Sequence, residues 1–190
     1  MKKATDIQDA VISRLRQFPE FAGLAIIPER EADALTLINT ALATAGAGGM
    51  RPGAALLVGS PASAVRAHNA ARLVIDPLGV TLTAFENPLY NRPPAGTGTR
   101  AADLALAAAA ALLAWTPPGC GRPLAAAPGP NVLEDADGKG NAAASVALET
   151  SLELPLLRLP GEYGYTGAVA SGQCPVASEQ PIASPAFTDH

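Results

Sequence analysis

The chain has 190 residues, 48% of them hydrophobic but only 4% aromatic, and 13 Lys and Arg against 17 Asp and Glu give a formal charge of -4. That length fits one domain with appendages, or two small ones. The charge balance, with no basic stripe, does not support a nucleic-acid-binding surface, and so much alanine predicts a modest core, which favours an oligomer over a very stable monomer.

The polar stretch "ATDIQDA" follows Met1-Lys2-Lys3 where a signal peptide would carry its apolar region. From Asp6 to Phe18, Ile7, Val11, Leu15 and Phe18 recur at helical spacing, with Thr5 or Asp6 to cap the start and Pro19 to end it. A short extended piece, "GLAIIPE", follows. "EADALTLINTALATAG" reads as a second helix with Leu35, Ile38 and Leu42 on its buried stripe, stopped by Gly46, Gly48 and Gly49.

The period then changes. Ala54 to Gly59 reads as a buried strand broken by Ser60-Pro61, and "RAHNAAR" as a surface loop carrying His68. "ARLVID" and "GVTLTAFEN" flank Pro77-Leu78-Gly79, as two strands of a hairpin or as one long kinked strand. Val80, Leu82 and Ala84 alternate with Thr81, Thr83 and Phe85, the pattern of a half-buried strand. After the link "ENPLYNRPPAGTGTR" a helix is expected from Ala101 to Trp115, with Thr99 as N-cap, Asp103 in the first turn, and Leu104, Ala108, Ala111, Leu112 and Trp115 on its apolar face.

Leu104 to Trp115 is also the longest apolar run, well short of the roughly 20 residues of a membrane span. Residues 116–143 form a long Pro/Gly-rich connection. Ser145 to Leu154 is the clearest strand, with Val146, Leu148, Thr150, Leu152 and Leu154 on one face and Glu149 and Glu153 on the other.

Residues 155–190 lose all period and are expected to be an extended arm with little regular structure. The prediction is an α+β domain over 1–154: a small antiparallel or mixed β-sheet with helices packed on one face.

Chemistry-bearing groups are sparse. Of the two histidines, His190 is the last residue and His68 falls in the presumed loop, and no GxSxG elbow is present. Glu134, Asp135 and Asp137 in "LEDADGKGN" lack the spacing of a calcium loop and read as a solvated turn. Cys120 and Cys174 have no CxxC partner or nearby His, and are expected to be thiols rather than a disulfide. "AGTGTR" before a helix invites a phosphate, yet it completes neither GxxxxGK[ST] nor GxGxxG. Glu86 ends a strand with Arg92 and Arg100 as its nearest cations, and is expected to form a structural ion pair. No catalytic, cofactor-binding or metal-binding residue is assigned, no cofactor is expected, and the chain is not read as an enzyme.

The segment order, read with "VTLTAFENPLYNRPPAGTGTRAADLALAAAAALLAW", resembles small prophage-encoded tail proteins, in particular the tail-terminator and tail-completion (neck) group of long-tailed phages. The resemblance covers roughly Asp6 to Leu154. It implies a virion structural protein, assembled in the bacterial cytoplasm, that forms a ring, often hexameric, ending the tail tube or joining it to the neck. Its partners would be further copies of itself and tail-tube and connector proteins, with no membrane and no sequence-specific nucleic acid. Glu86, Asn87, Asn91, Arg92 and Arg100 are the candidate subunit-contact residues. The alternatives are a nucleotide- or phosphate-binding module using the 95–100 loop, or another virion component of the baseplate or head.

Overall fold

A computed structural model describes residues 4–43, 50–69, 72–94, 96–127, 133–135 and 141–155. Helix α1 (Ala4–Leu15) buries Ile7, Val11 and Leu15, and Thr5 and Asp6 lie in its first turn rather than before it. Pro19 opens a short 3-10 turn, Pro19–Phe21, which buries Phe21. Strand β1 (Ala25–Pro28) follows, then helix α2 (Ala34–Ala43) and strand β2 (Ala54–Val58). β1 and β2 are parallel, and α2 is the crossover that parallel neighbours require.

Strand β3 (Ala62–Asn69) takes the place of the expected loop around "RAHN". It pairs antiparallel with β4 (Arg72–Glu86), at 15 residues the longest of the described strands. β4 resolves the choice between hairpin and kink: it is one strand, irregular at a cis Asp76–Pro77 bond. Against β7 (Ala142–Pro155), Ile75 pairs with Leu152 and Leu78 with Thr150, so β4 carries one extra residue there. A bulge of this kind is where a strand tolerates proline.

The 116–143 connection is less irregular than expected. Cys120 bridges Leu152, and β5 (Ala125–Ala126) and β6 (Leu133–Asp135) both pair with β7. Together the described strands make one mixed, seven-stranded sheet in the order β1-β2-β4-β7-β5, with β3 added to β4 and β6 to β7. With α1, α2 and α3 (Ala101–Leu112) packed against it, the fold is α+β.

The larger core lies between the sheet and helices α1 and α3. Leu56, Val58, Leu78, Val80, Leu82, Ala84, Val146 and Leu148 supply the sheet side. Ala101, Ala105, Ala108 and Ala109 are buried on α3, and their short side chains let the helix lie close to the strands. α2 covers the other face at the parallel edge, where Ile38, Ala41 and Leu42 meet Ala25, Ile27 and Ala55. Leu35, expected on the buried stripe, is instead 74% exposed, because the stripe that meets the sheet runs through Ala34, Ile38, Ala41 and Leu42, and Leu35 lies about 100° round the helix from Ala34.

α3 stops at Leu112 rather than Trp115. Ala114 adopts a positive φ of 62°, and its N–H turns to the carbonyl of Leu124, while the Leu124 N–H donates to the carbonyl of Trp115. The Arg122 carbonyl accepts from the Thr150 hydroxyl at 2.6 Å, and its guanidinium pairs with Asp76 (2.9 Å) and Glu149 (3.3 Å). Burial works against the charge on Arg122, but the hydrogen bonds and charges of Asp76 and then Glu149 outweigh it and hold its pKa above the ordinary value. The expected arm at 156–190, with Cys174 and His190, lies outside the described residues.

Candidate functional site

Alternation along β4 turns Leu82, Ala84 and Glu86 toward the core, so an acidic residue ends a row of apolar ones. Glu86 is only 3% exposed. It is accommodated because α3 begins beside it. The first amides of a helix have no partner within it, and its N-terminal end is electropositive. Glu86 Oε2 accepts the Ala101 N–H at 3.0 Å, Oε1 accepts from Asn91 Nδ2 at 3.3 Å, and Arg100 Nη1 lies 3.5 Å away. The expected intrachain ion pair with Arg100 is present. The expected Thr99 cap is not: Arg100 occupies the N-cap position without a side-chain cap bond, and a carboxylate from the end of β4 serves instead.

Asn91, also 3% exposed, ties the two ends of the loop together. Its Nδ2 donates to Glu86 and to the Thr99 carbonyl (2.7 Å), while its Oδ1 accepts from the Gly98 N–H (3.2 Å) and the Thr97 hydroxyl (3.4 Å). Those four bonds use the whole capacity of an amide side chain. Asn87 starts the turn: its N–H donates to the Gly53 carbonyl at 2.8 Å and its Oδ1 accepts the Leu89 N–H at 3.0 Å, an Asx turn. Gly53, at φ 72°, forms the floor, and a Cβ there would stand 2.3 Å from the Asn91 nitrogen.

The five sequence-assigned residues therefore separate by role. Glu86 and Asn91 are buried and spend their polar atoms inside the chain, and Asn87 is half-buried in its turn. Arg92 and Arg100 reach the surface. Arg92 Nε donates to the Pro88 carbonyl at 2.9 Å, which fixes the direction of its guanidinium, and the Arg100 side chain is 68% exposed. Just before Arg92 the loop presents two residues that the sequence reading passed over, Leu89 (70% exposed) and Tyr90 (43%). Their signal was present in "NPLYNR": an apolar pair inside an otherwise polar turn.

The same geometry bears on the phosphate alternative. The N-terminus of α3, where "AGTGTR" would place an anion, already holds the Glu86 carboxylate, which would repel a phosphate arriving at the Ala101 amide. Among the described residues no group of three or more His, Cys, Asp and Glu is placed to hold a metal ion. Of the acidic turn, Glu134 and Asp135 have their backbone in β6, and Asp137 lies outside the described residues. No described helix is long and apolar enough to cross a membrane. Compared with known proteins, the chain matches no family model, and its sequence matches no curated protein.

Proposed function

We propose that the chain is a structural protein of a phage or phage-like tail, forming an oligomeric ring that ends the tail tube or joins it to the neck. The observation that carries this reading is the construction of the β4–α3 loop. Its polar interior is satisfied by Glu86, Asn87 and Asn91, so the loop is rigid without a partner, while Leu89, Tyr90, Arg92 and Arg100 are held at the surface. A preordered loop with exposed apolar and guanidinium groups loses little freedom on docking, and aromatic and Arg residues are the usual anchors of interfaces. The reading draws its specific content from the resemblance carried by "ENPLYNR" and the helix after it. A baseplate or head-completion component would use the same docking loop in another part of the particle.

Light scattering and native mass spectrometry on the full chain, with electron microscopy of negatively stained material, test the proposal. A closed multimer, in solution or in assembled particles, is expected. A single chain under both conditions rules the ring out.

A further inference from the structure

The loop tip has a complementary surface elsewhere on the same molecule. Beside the N-terminal half of α2 lies an open groove of about 540 Å³, lined by Glu29, Glu31, Asp33, Leu35, Ile38 and Leu57. That volume falls within the range of roughly 300–1,000 Å³ typical of sites that enclose small ligands, enough for a pair of side chains. Its floor is apolar and its rim acidic. Leu35 stands 74% exposed at its edge. Arg30, the cation nearest in sequence, does not neutralise the rim: it turns to α1, donating to the Thr5 carbonyl (3.0 Å) and Gln8 Oε1 (3.2 Å) and pairing with Asp9. Glu29 is engaged by the Ser60 N–H at 2.6 Å, whereas Glu31 and Asp33 stand exposed on the rim.

The loop tip presents the opposite character, with apolar Leu89 and Tyr90 followed closely by the exposed Arg92. The two surfaces also lie at different ends of α2. The Gly53 N–H donates to the Ala41 carbonyl and the Gly53 carbonyl accepts from Asn87, which sets the loop beside the last turn of α2, while the groove borders its first turns. One copy can therefore offer its loop and its groove at once.

We propose that the groove receives the Leu89–Arg92 tip of a second copy of this chain. Leu89 and Tyr90 cover Leu35, Ile38 and Leu57, and Arg92 lies against Glu31 and Asp33. Because the two surfaces differ, the contact is head-to-tail, the type that closes into rings when the rotation between copies allows. The inference rests on the ring reading above and supplies its interface.

The test uses the full chain with Leu89→Asp, which spoils the tip, and Leu35→Asp, which spoils the groove. Both side chains are largely exposed, so circular dichroism should be unchanged, as should melting at dilutions where every chain is single. Each variant should weaken self-association about 30-fold or more, as loss of an interface anchor does. Mixing the two should give a species of two chains, since one intact tip meets one intact groove. Arg92→Glu should also weaken assembly, and Glu31→Arg with Asp33→Arg in the same chain should restore it.

If both Asp variants assemble like the unaltered chain, the contact proposed here is overturned while the ring reading stands. Single chains only in the mixture overturn the head-to-tail pairing. Cross-links from the groove to residues 156–190 in place of the tip would overturn it as well. An unaltered chain that stays single at every concentration and in assembled particles overturns the ring reading and this contact together.

Discussion

The Glu86 carboxylate accepts the backbone N–H of Ala101, 15 residues further along, and so joins the end of β4 to the start of α3. The bond does two things at once. It satisfies an amide that the helix cannot satisfy itself, and it places a negative charge at the helix's positive end. Replacing Glu86 by Ala leaves the Ala101 N–H without an acceptor in a buried site and takes from Asn91 Nδ2 one of its two acceptors, and should cost about 2–4 kcal/mol. Glu86→Gln keeps one acceptor but loses the charge, and should cost about half as much. Urea denaturation checks the pair: the midpoint should fall in that order with the slope unchanged.

Asn91 gives a sharper test of the same network. Asn91→Asp is nearly isosteric, yet it turns the donor facing Glu86 and the Thr99 carbonyl into an acceptor and sets two carboxylates side by side. A loss of about 3 kcal/mol is expected at neutral pH, against about 1 for Asn87→Ala, which removes only the exposed Leu89 N–H to Asn87 Oδ1 bond of the same loop. Thermal unfolding of the two variants in parallel measures the difference. Equal losses would mean that the Glu86 contact contributes nothing.

Gly53 has no freedom to change. At φ 72°, with a would-be Cβ 2.3 Å from the Asn91 nitrogen and 2.7 Å from the Tyr90 carbonyl carbon, even alanine must push the loop off β2. Gly53→Ala should cost about 2 kcal/mol or more, from the backbone conformation and the collision together. Hydrogen exchange should show the loss of protection centred on Asn87 and Asn91, whose amides lean on that floor.

Ala114 offers the reverse case. It holds a positive φ of 62° on the surface just after α3, a conformation that L residues disfavour. Ala114→Gly should raise stability by about 0.5–1 kcal/mol, because relief of the strained backbone exceeds the added freedom of the unfolded chain. An unchanged or lowered melting temperature would contradict that account.

Features set by neighbours in sequence were legible there. The helical spacing of Ile7, Val11 and Leu15 and the alternation of Val146, Leu148, Thr150 and Leu152 each follow from which side of one element must be buried, and each matches the burial observed. Features set by distant partners were not. β3 shows no alternation because its place depends on the long β4 ladder beside it. Leu35 fits a helical stripe with Ile38 and Leu42, but which side of α2 meets the sheet is decided by β1 and β2, and the side they take is that of Ala34. At the candidate site the Glu86–Arg100 pair and the exposed arginines were readable. The division between buried braces and exposed side chains depends on Ala101 and Gly53 approaching from elsewhere in the chain, and was not.

The extra residue in β4 also determines which way Glu86 faces. Side chains along a strand alternate strictly, so an uninterrupted β4 would have to choose between its odd and even positions for the core. Ile75 packs on the α1–α3 side, opposite Leu152, and so do Leu78, Val80, Leu82, Ala84 and Glu86. Odd positions point inward before the irregularity and even ones after it, so the strand is read in two frames, and Asp76–Pro77 is the frameshift. Without that shift, burying Ile75 would turn Glu86 out to solvent and leave α3 uncapped. The phase set ten residues upstream at Asp76 thus decides whether the helix start, and the loop that depends on it, can form.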